Sequence, residues 1–170
     1  GNSEAFIGAM KTHMRSLHMS ALQTAMNELS NHDHSRFLTR TNHKVGRISY
    51  AGAEAASEGV NPAVMREAVA IQMTWPGAPT VYYGDEAGLC GFTDPDNRRT
   101  YPWGREDYQM IDFHRVMIRI HKNYEVLKTG SLGFLWNDYQ GLCYARFSRK
   151  EQMIVIINNQ AESRDVEIQL

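Results

Sequence analysis

The sequence predicts an α/β domain followed by an all-β tail. Residues 1–130 alternate helical and strand-like segments, an order that favours parallel α/β packing. From Ser131 the pattern changes to four short β-rich runs. Hydrophobic residues make up 42% of the chain's 170 residues, enough for a packed core and too many for a disordered chain.

The elements follow in order. Asn2 or Ser3 can cap a helix over residues 4–18, because Phe6, Met10, Met14 and Leu17 share one face. Residues 21–29, ALQTAMNEL, read as a short buried strand running into a polar cluster at 30–35. The stretch 41–59 holds three glycines and small residues and reads as a loop with one helical turn. Asn61-Pro62 is a helix start, with Asn as the cap and Pro at the first helical position. That helix should stop at Trp75-Pro76-Gly77. Residues 78–84, APTVYYG, are β-rich and bounded by Pro and Gly, hence a strand. An irregular segment, 85–105, precedes an amphipathic helix traced by Met110, Phe113, Met117, Ile120 and Tyr124, and Gly130 closes that region. The tail predicts strands at 133–137, 142–147, 153–158 and 164–170. In the last, Val166, Ile168 and Leu170 alternate with polar residues.

Composition excludes several functions. The net charge of −1 lacks the basic excess of a nucleic-acid binder or a polybasic membrane module. The longest aliphatic stretch, 153–157, is far short of the about 20 residues that cross a bilayer. The first residues have neither a basic nor an apolar leader character, so the expectation is a cytoplasmic location. The first residue is Gly rather than Met, which suggests a processed or excised piece. Cys90 and Cys143 are too few for a disulfide scaffold. They read as free thiols, with a single bridge left open.

A P-loop, a dinucleotide GxGxxG, HExxH, CxxC and GxSxG are all absent. Two polar clusters remain, each just after a predicted strand: SNHDHSRF at 30–37 and YGDEAGLCGFTDPDNRRTYPW at 83–103. The carboxyl ends of strands are where parallel α/β folds build their sites, so both clusters point to one shared site. His32-Asp33-His34 has the ligand types of a metal cluster, but nothing else in the chain supplies the remaining ligands at a recognisable spacing. A polar turn with Asp33 capping the next segment is the plainer reading. The favoured one is sugar recognition with carboxylate catalysis. Glycoside hydrolysis needs carboxylates around an oxocarbenium-like transition state and polar groups on the ring hydroxyls. Asp33 can accept from those hydroxyls and His32 can donate to them.

The stretch NELSNHDHSRFLTR resembles the fourth conserved stretch of the α-amylase superfamily of glycoside hydrolases. GAPTVYYGDEAGL resembles that superfamily's eighth barrel strand, and DPDNRRTYPW the loop after it in the neopullulanase and cyclomaltodextrinase branch. The resemblance covers essentially the whole chain, departing at His34, where the family commonly has Thr. It implies the last helices and the seventh and eighth strands of a partial (β/α)8 barrel over residues 1–130. Part of an antiparallel β-sandwich domain, truncated, would then occupy 131–170. A whole barrel takes roughly 250 residues, so the piece would be cut at both ends.

The resemblance also implies roles. The parent would be a retaining glycoside hydrolase or transglycosylase on α-1,4 (also α-1,6) glucans such as maltooligosaccharides, starch or cyclodextrins. Its nucleophile and general acid would lie upstream of Gly1, leaving this segment inactive alone. Asp33 would be the third catalytic carboxylate, stabilising the transition state, with His32 on the same sugar. Asp94 and Arg98 would bind a more distant glucose unit, although Asp94-Pro95-Asp96-Asn97 also fits a type I turn. The resemblance implies no cofactor for the segment and leaves calcium a candidate for the parent. The partner would be an α-glucan oligosaccharide, with no nucleic acid or membrane, and the exposed strand edges of a cut barrel predict self-association. The rival is a non-catalytic amylase-like binding or scaffold protein, which the intact His32-Asp33 pair counts against.

Other residues read as structural. Arg36 should pin the loop near the barrel mouth, Asp85 and Glu86 shape the loop, and Tyr82 and Tyr83 pack. Trp103 reads as a hydrophobic anchor before the last helix, and His114 and His121 as a solvated stripe.

Overall fold

In the computed structural model, which describes residues 2–168, α1 spans Ser3–Arg15. The Asn2 side chain accepts from the Ala5 amide at 3.0 Å and caps it. The helix stops short of the expected residue 18 because the Ser16 amide turns back to the His13 carbonyl. The strand expected at 21–29 is mostly helix: α2 spans Met19–Thr24, and only β1, Met26–Glu28, is extended. Ala21, Leu22 and Gln23 are good helix formers, and Leu22 buries one face of the turn.

The segment after the first polar cluster is more ordered than expected. Ser30 Oγ accepts from the Phe37 amide at 2.9 Å at the start of α3, Phe37–Arg40. α4, Ile48–Ala51, and a 3-10 turn, Glu54–Ala56, follow. α5, Pro62–Thr74, starts and ends where its punctuation places it. Asn61 Oδ1 accepts from the Ala63 and Val64 amides at 3.0 and 3.3 Å, and Met65, Val69 and Met73 form its buried stripe.

β2 covers Ala78–Thr80, shorter than expected, and pairs with β1 in a two-stranded sheet. The Ala78 amide donates to the Ala25 carbonyl at 2.7 Å, so the two strands start side by side. Beyond the strand, Gly84, at φ 86°, turns the chain left-handed into a 3-10 turn at Asp85–Ala87. α6, Tyr108–Asn123, breaks at an extended Tyr124 before α7, Glu125–Thr129. Glu151 Oε2 accepts from the Val126 amide at 2.8 Å in the first turn of α7.

The tail forms an antiparallel meander of β3 (Ser131–Asn137), β4 (Gly141–Phe147) and β5 (Gln152–Asn158), in the order β3-β4-β5. Ser131 pairs with Phe147, and Leu142 with Ile157, with an irregularity between Phe134 and Trp136. As the central strand, β4 is buried from Gly141 to Arg146. Of the fourth strand expected at 164–170, residues 164–168 are not extended into a strand and 169–170 lie outside the described residues. Arg164 instead pairs with Asp138 and sits over the Trp136 ring, 4.7 Å from its centroid.

The described residues form two compact units. One unit comprises the described parts of Gly1–Met26, Thr74–Ala78 and Ile120–Leu170. The other comprises Asn27–Met73 and Pro79–Arg119. In the first, Trp75 centres an aromatic cluster, with ring centroids 5.5 Å from Phe6, 5.9 Å from Phe134 and 5.3 Å from Tyr144. Beside it the fully buried Arg146 donates to the Thr74 and Gly130 carbonyls at 2.7 and 2.9 Å. Burial pushes its pKa down to about 10, so it stays cationic at neutral pH. The Tyr144 hydroxyl, 2.5 Å from Thr74 Oγ1, is pushed up by burial. Cys143 in this unit and Cys90 in the other are free and buried, and burial pushes both thiols up. No helix among the described residues is long and apolar enough to cross a membrane.

Candidate functional site

Both polar clusters fall in the second unit, Asn27–Met73 with Pro79–Arg119. Just beyond β1, Asn31 Oδ1 accepts from the amides of Asp33 and His34 at 2.9 and 3.1 Å. This Asx-type turn puts His32 and Asp33 at its tip. Their side chains are 62% and 67% exposed, with His32 Nε2 3.5 Å from Asp33 Oδ1. Both can therefore meet a ligand while their backbone is held from within.

The carbonyls of the same turn are held by Asn97. It is fully buried, and its Nδ2 donates to the Asn31 and His34 carbonyls at 3.1 and 2.9 Å. Asn97 is held in its turn by Arg36, whose Nε donates to the Asn97 carbonyl at 2.9 Å. Arg36 Nη1 reaches the Tyr83 carbonyl at 2.8 Å and Asp85 Oδ1 at 3.0 Å. The guanidinium lies 4.5 and 4.9 Å from the ring centroids of Tyr82 and Tyr83. Burial pushes the Asp85 carboxyl up, and hydrogen bonding from Ser30 and the Arg36 charge oppose it. Arg36 thus pins the loop, as its sequence position suggests, and Asp85 is its counter-charge.

The 94–99 loop is built on Asp96. This buried carboxylate accepts from the Phe92 amide at 2.8 Å and from Arg99 Nε and Nη2, both at 2.9 Å. The type I turn expected at Asp94–Asn97 is replaced by a type VI turn over residues 93–96: the Asp96 amide donates to the Thr93 carbonyl at 3.0 Å, and the bond before Pro95, its third residue, is cis. A 3-10 turn, Asp96–Arg98, follows. Asp94 and Arg98 form an ion pair at the surface, their side chains 53% and 48% exposed. Gly91 lets this loop close, since a Cβ there would lie 2.5 Å from the Asp96 carbonyl oxygen.

The structure therefore brings the His32-Asp33 turn and the Asp94/Arg98 loop together, and the link is Asn97. Sequence reasoning named the four displayed side chains and missed Asn97, Asp96 and Arg99. The one available signal was their place inside DPDNRR. Two other readings are corrected. Trp103 is 79% exposed, so it is no buried anchor; its neighbour is Tyr101, at 4.5 Å between centroids. His114 is buried rather than solvated, because α6 turns it inward, and its Nδ1 lies 2.9 Å from the Met110 carbonyl. With Val81, Tyr83 and Glu86 it lines an open cleft of about 410 Å³. No group of three or more His, Cys, Asp or Glu among the described residues is placed to hold a metal ion.

Comparison with known proteins adds ancestry to this geometry. The chain is 34% identical over 154 residues to neopullulanase 2 of Thermoactinomyces vulgaris, covering 88% of the chain and 23% of that protein. It is 31% identical over 163 residues to the cyclomaltodextrinase of Thermoanaerobacter pseudethanolicus, covering 94% and 25%. An amylopullulanase of Thermoanaerobacter thermohydrosulfuricus is 32% identical over 163 residues, 10% of its length. The chain thus spans a quarter or less of these relatives. Among solved structures, the debranching enzyme of Nostoc punctiforme superposes with a TM-score of 0.80 at 27% identity, over 99% of this chain and 31% of that one. Residues 2–165 match the family model described as "Alpha amylase, catalytic domain", and the chain belongs to that family.

Proposed function

We propose that this chain supplies part of the sugar-binding cleft of an enzyme that hydrolyses or transfers α-1,4-linked, and also α-1,6-linked, glucans with retention. The observation that carries this is the paired display of His32 and Asp33, side chains exposed, on a turn held through both its amides and its carbonyls. In this reading Asp33 accepts from ring hydroxyls of the sugar whose bond is cleaved, favouring the distorted ring. Its charge also raises the pKa of a neighbouring acid. His32 donates to the same sugar, and Asp94 with Arg98 holds a more distant glucose unit. Relatives named neopullulanase and cyclomaltodextrinase support α-glucans as the substrate class.

Retention needs a nucleophile and an acid about 5–5.5 Å apart. The proposal places both on polypeptide outside this chain. Residues 1–130 then belong to the last part of a (β/α)8 barrel and 131–170 to the start of a β domain. The chain alone is inactive toward maltooligosaccharides and associates with itself through its small β1–β2 sheet. Light scattering over a dilution series reads the association, and a monomer at high concentration contradicts it.

The decisive test is Asp33→Asn in the longer enzyme. A group whose contact strengthens in the transition state shows in kcat more than in binding. The expected loss in kcat is on the order of 10³, with substrate binding changed far less. A near-normal kcat removes Asp33 from the mechanism.

A further inference from the structure

We propose that Asn97 is a positioning residue for Asp33. The proposal rests on the reading of Asp33 given above and adds to it the device that aims the carboxylate. Asp33 itself is exposed, so packing around its side chain does not fix it. What fixes it is its backbone. The peptide amides of Asp33 and His34 end on Asn31 Oδ1, and the carbonyls of Asn31 and His34 end on Asn97 Nδ2. The two carbonyls bracket the His32-Asp33 pair, so one side chain holds both shoulders of the turn.

Only an amide of this length suits the place. Both partners are carbonyl oxygens, so the contacting atom must donate twice, which the Asn Nδ2 group does and a carboxylate cannot. The donor comes from residue 97, more than sixty positions along the chain, and it is itself immobilised. Asn97 is fully buried, its carbonyl is bound by Arg36 Nε, and Asp96 beside it is gripped by Arg99. This is how a rigid supporting shell holds a displayed group within the narrow tolerance that catalysis demands.

The position also separates Asn97 from its neighbour. Arg98 displays its guanidinium at the surface and acts on substrates long enough to reach it. Asn97 faces inward and acts on Asp33, so its loss must be felt by short and long substrates alike.

The test uses the longer enzyme with Asn97→Ser and Asn97→Asp, which remove the double donor, assayed on short and long maltooligosaccharides. The expected outcome is a kcat lowered by about 10- to 100-fold on both substrates, with KM changed by less than about threefold. Repeated in an Asp33→Asn background, Asn97→Ser should lower kcat by less than about threefold, because a residue acting through Asp33 has nothing left to aim. The same fold loss in both backgrounds, or an unchanged kcat with Asp33 intact, overturns the proposal. A normal kcat for Asp33→Asn instead sinks the reading of Asp33 on which it rests. If neither Asn97 variant folds, hydrogen exchange of the wild-type protein decides. Asn97 side-chain Nδ2 protons slowed by at least about tenfold relative to a free asparagine side chain support the double hydrogen bond to the turn, and free exchange there overturns it.

Discussion

Among the described residues each compact unit contains one fully buried arginine, Arg146 in the first and Arg36 in the second, and the two are used differently. Arg146 donates to main-chain carbonyls at the end of α5 and just before β3. Arg36 donates to two loop carbonyls and to the Asp85 carboxylate, beneath two tyrosine rings. The first joins regular elements, and neutral carbonyls are enough for that. The second joins loops, whose backbone groups have no ladder of their own and must be satisfied one at a time. A guanidinium with five donors in a fixed fork can serve several at once. The same residue type thus builds scaffold in one unit and a display platform in the other. The carboxylate partner marks the second case.

The contrast is sharpest if the arginines are removed. Arg36→Met leaves Asp85 as an uncompensated buried carboxylate, a change that costs about 4 kcal/mol. Denaturant unfolding should read the loss. Cys90, buried in the same unit, should become faster to alkylate, while Cys143 in the other unit should not. Acid should narrow the deficit. Asp85 already has a raised pKa, and losing the Arg36 charge raises it further. A folded-state pKa above the unfolded one means that the folded protein binds more protons in that window. Stability contributed by this group is therefore present at low pH and lost as pH rises through the folded value. A deficit that does not shrink on acidification would show that Asp85 is not the stranded charge.

Arg146→Met should cost less, about 2 kcal/mol. It strands no carboxylate, and it removes a desolvated cation along with the donors to the Thr74 and Gly130 carbonyls. Here the thiol pattern should invert, with Cys143 exposed before Cys90. Equal losses for the two variants, or labelling of both thiols in step, would break the comparison and show that the chain unfolds as one cooperative body.

This asymmetry also explains what the sequence made legible. α5 was readable because Asn61-Pro62 and Trp75-Pro76-Gly77 are local signals. The meander was readable because β3, β4 and β5 are short β-rich runs. α2 was not, since ALQTAMNEL is apolar without a decisive period, and burial of Leu22 rather than pattern settled its turn. Displayed residues such as His32, Asp33, Asp94 and Arg98 sit inside contiguous motifs and could be named. Their support could not, because the bonds from Asn97 to Asn31 and His34 span more than sixty residues. Nothing in a linear pattern records which carbonyls a buried amide will meet.

The smallest expected effect belongs to the surface pair. Arg98 and Asp94 are each about half exposed and bind each other, and such pairs contribute at most about 1 kcal/mol. Arg98→Ala should therefore leave stability unchanged within about 0.5 kcal/mol, unlike either buried arginine. Its consequence should appear in binding alone. A contact distant from the bond cleaved is made only by a substrate long enough to reach it, and it is made equally in the ground and transition states. In the longer enzyme KM for long maltooligosaccharides should rise by about tenfold, the lower end of the worth of one hydrogen bond to a charged group, with kcat unchanged. Short substrates should be unaffected. Equal effects on short and long substrates would place Arg98 with Arg36 as a support of the loop, and the division between displayed and supporting residues in this unit would have to be redrawn one position along the chain.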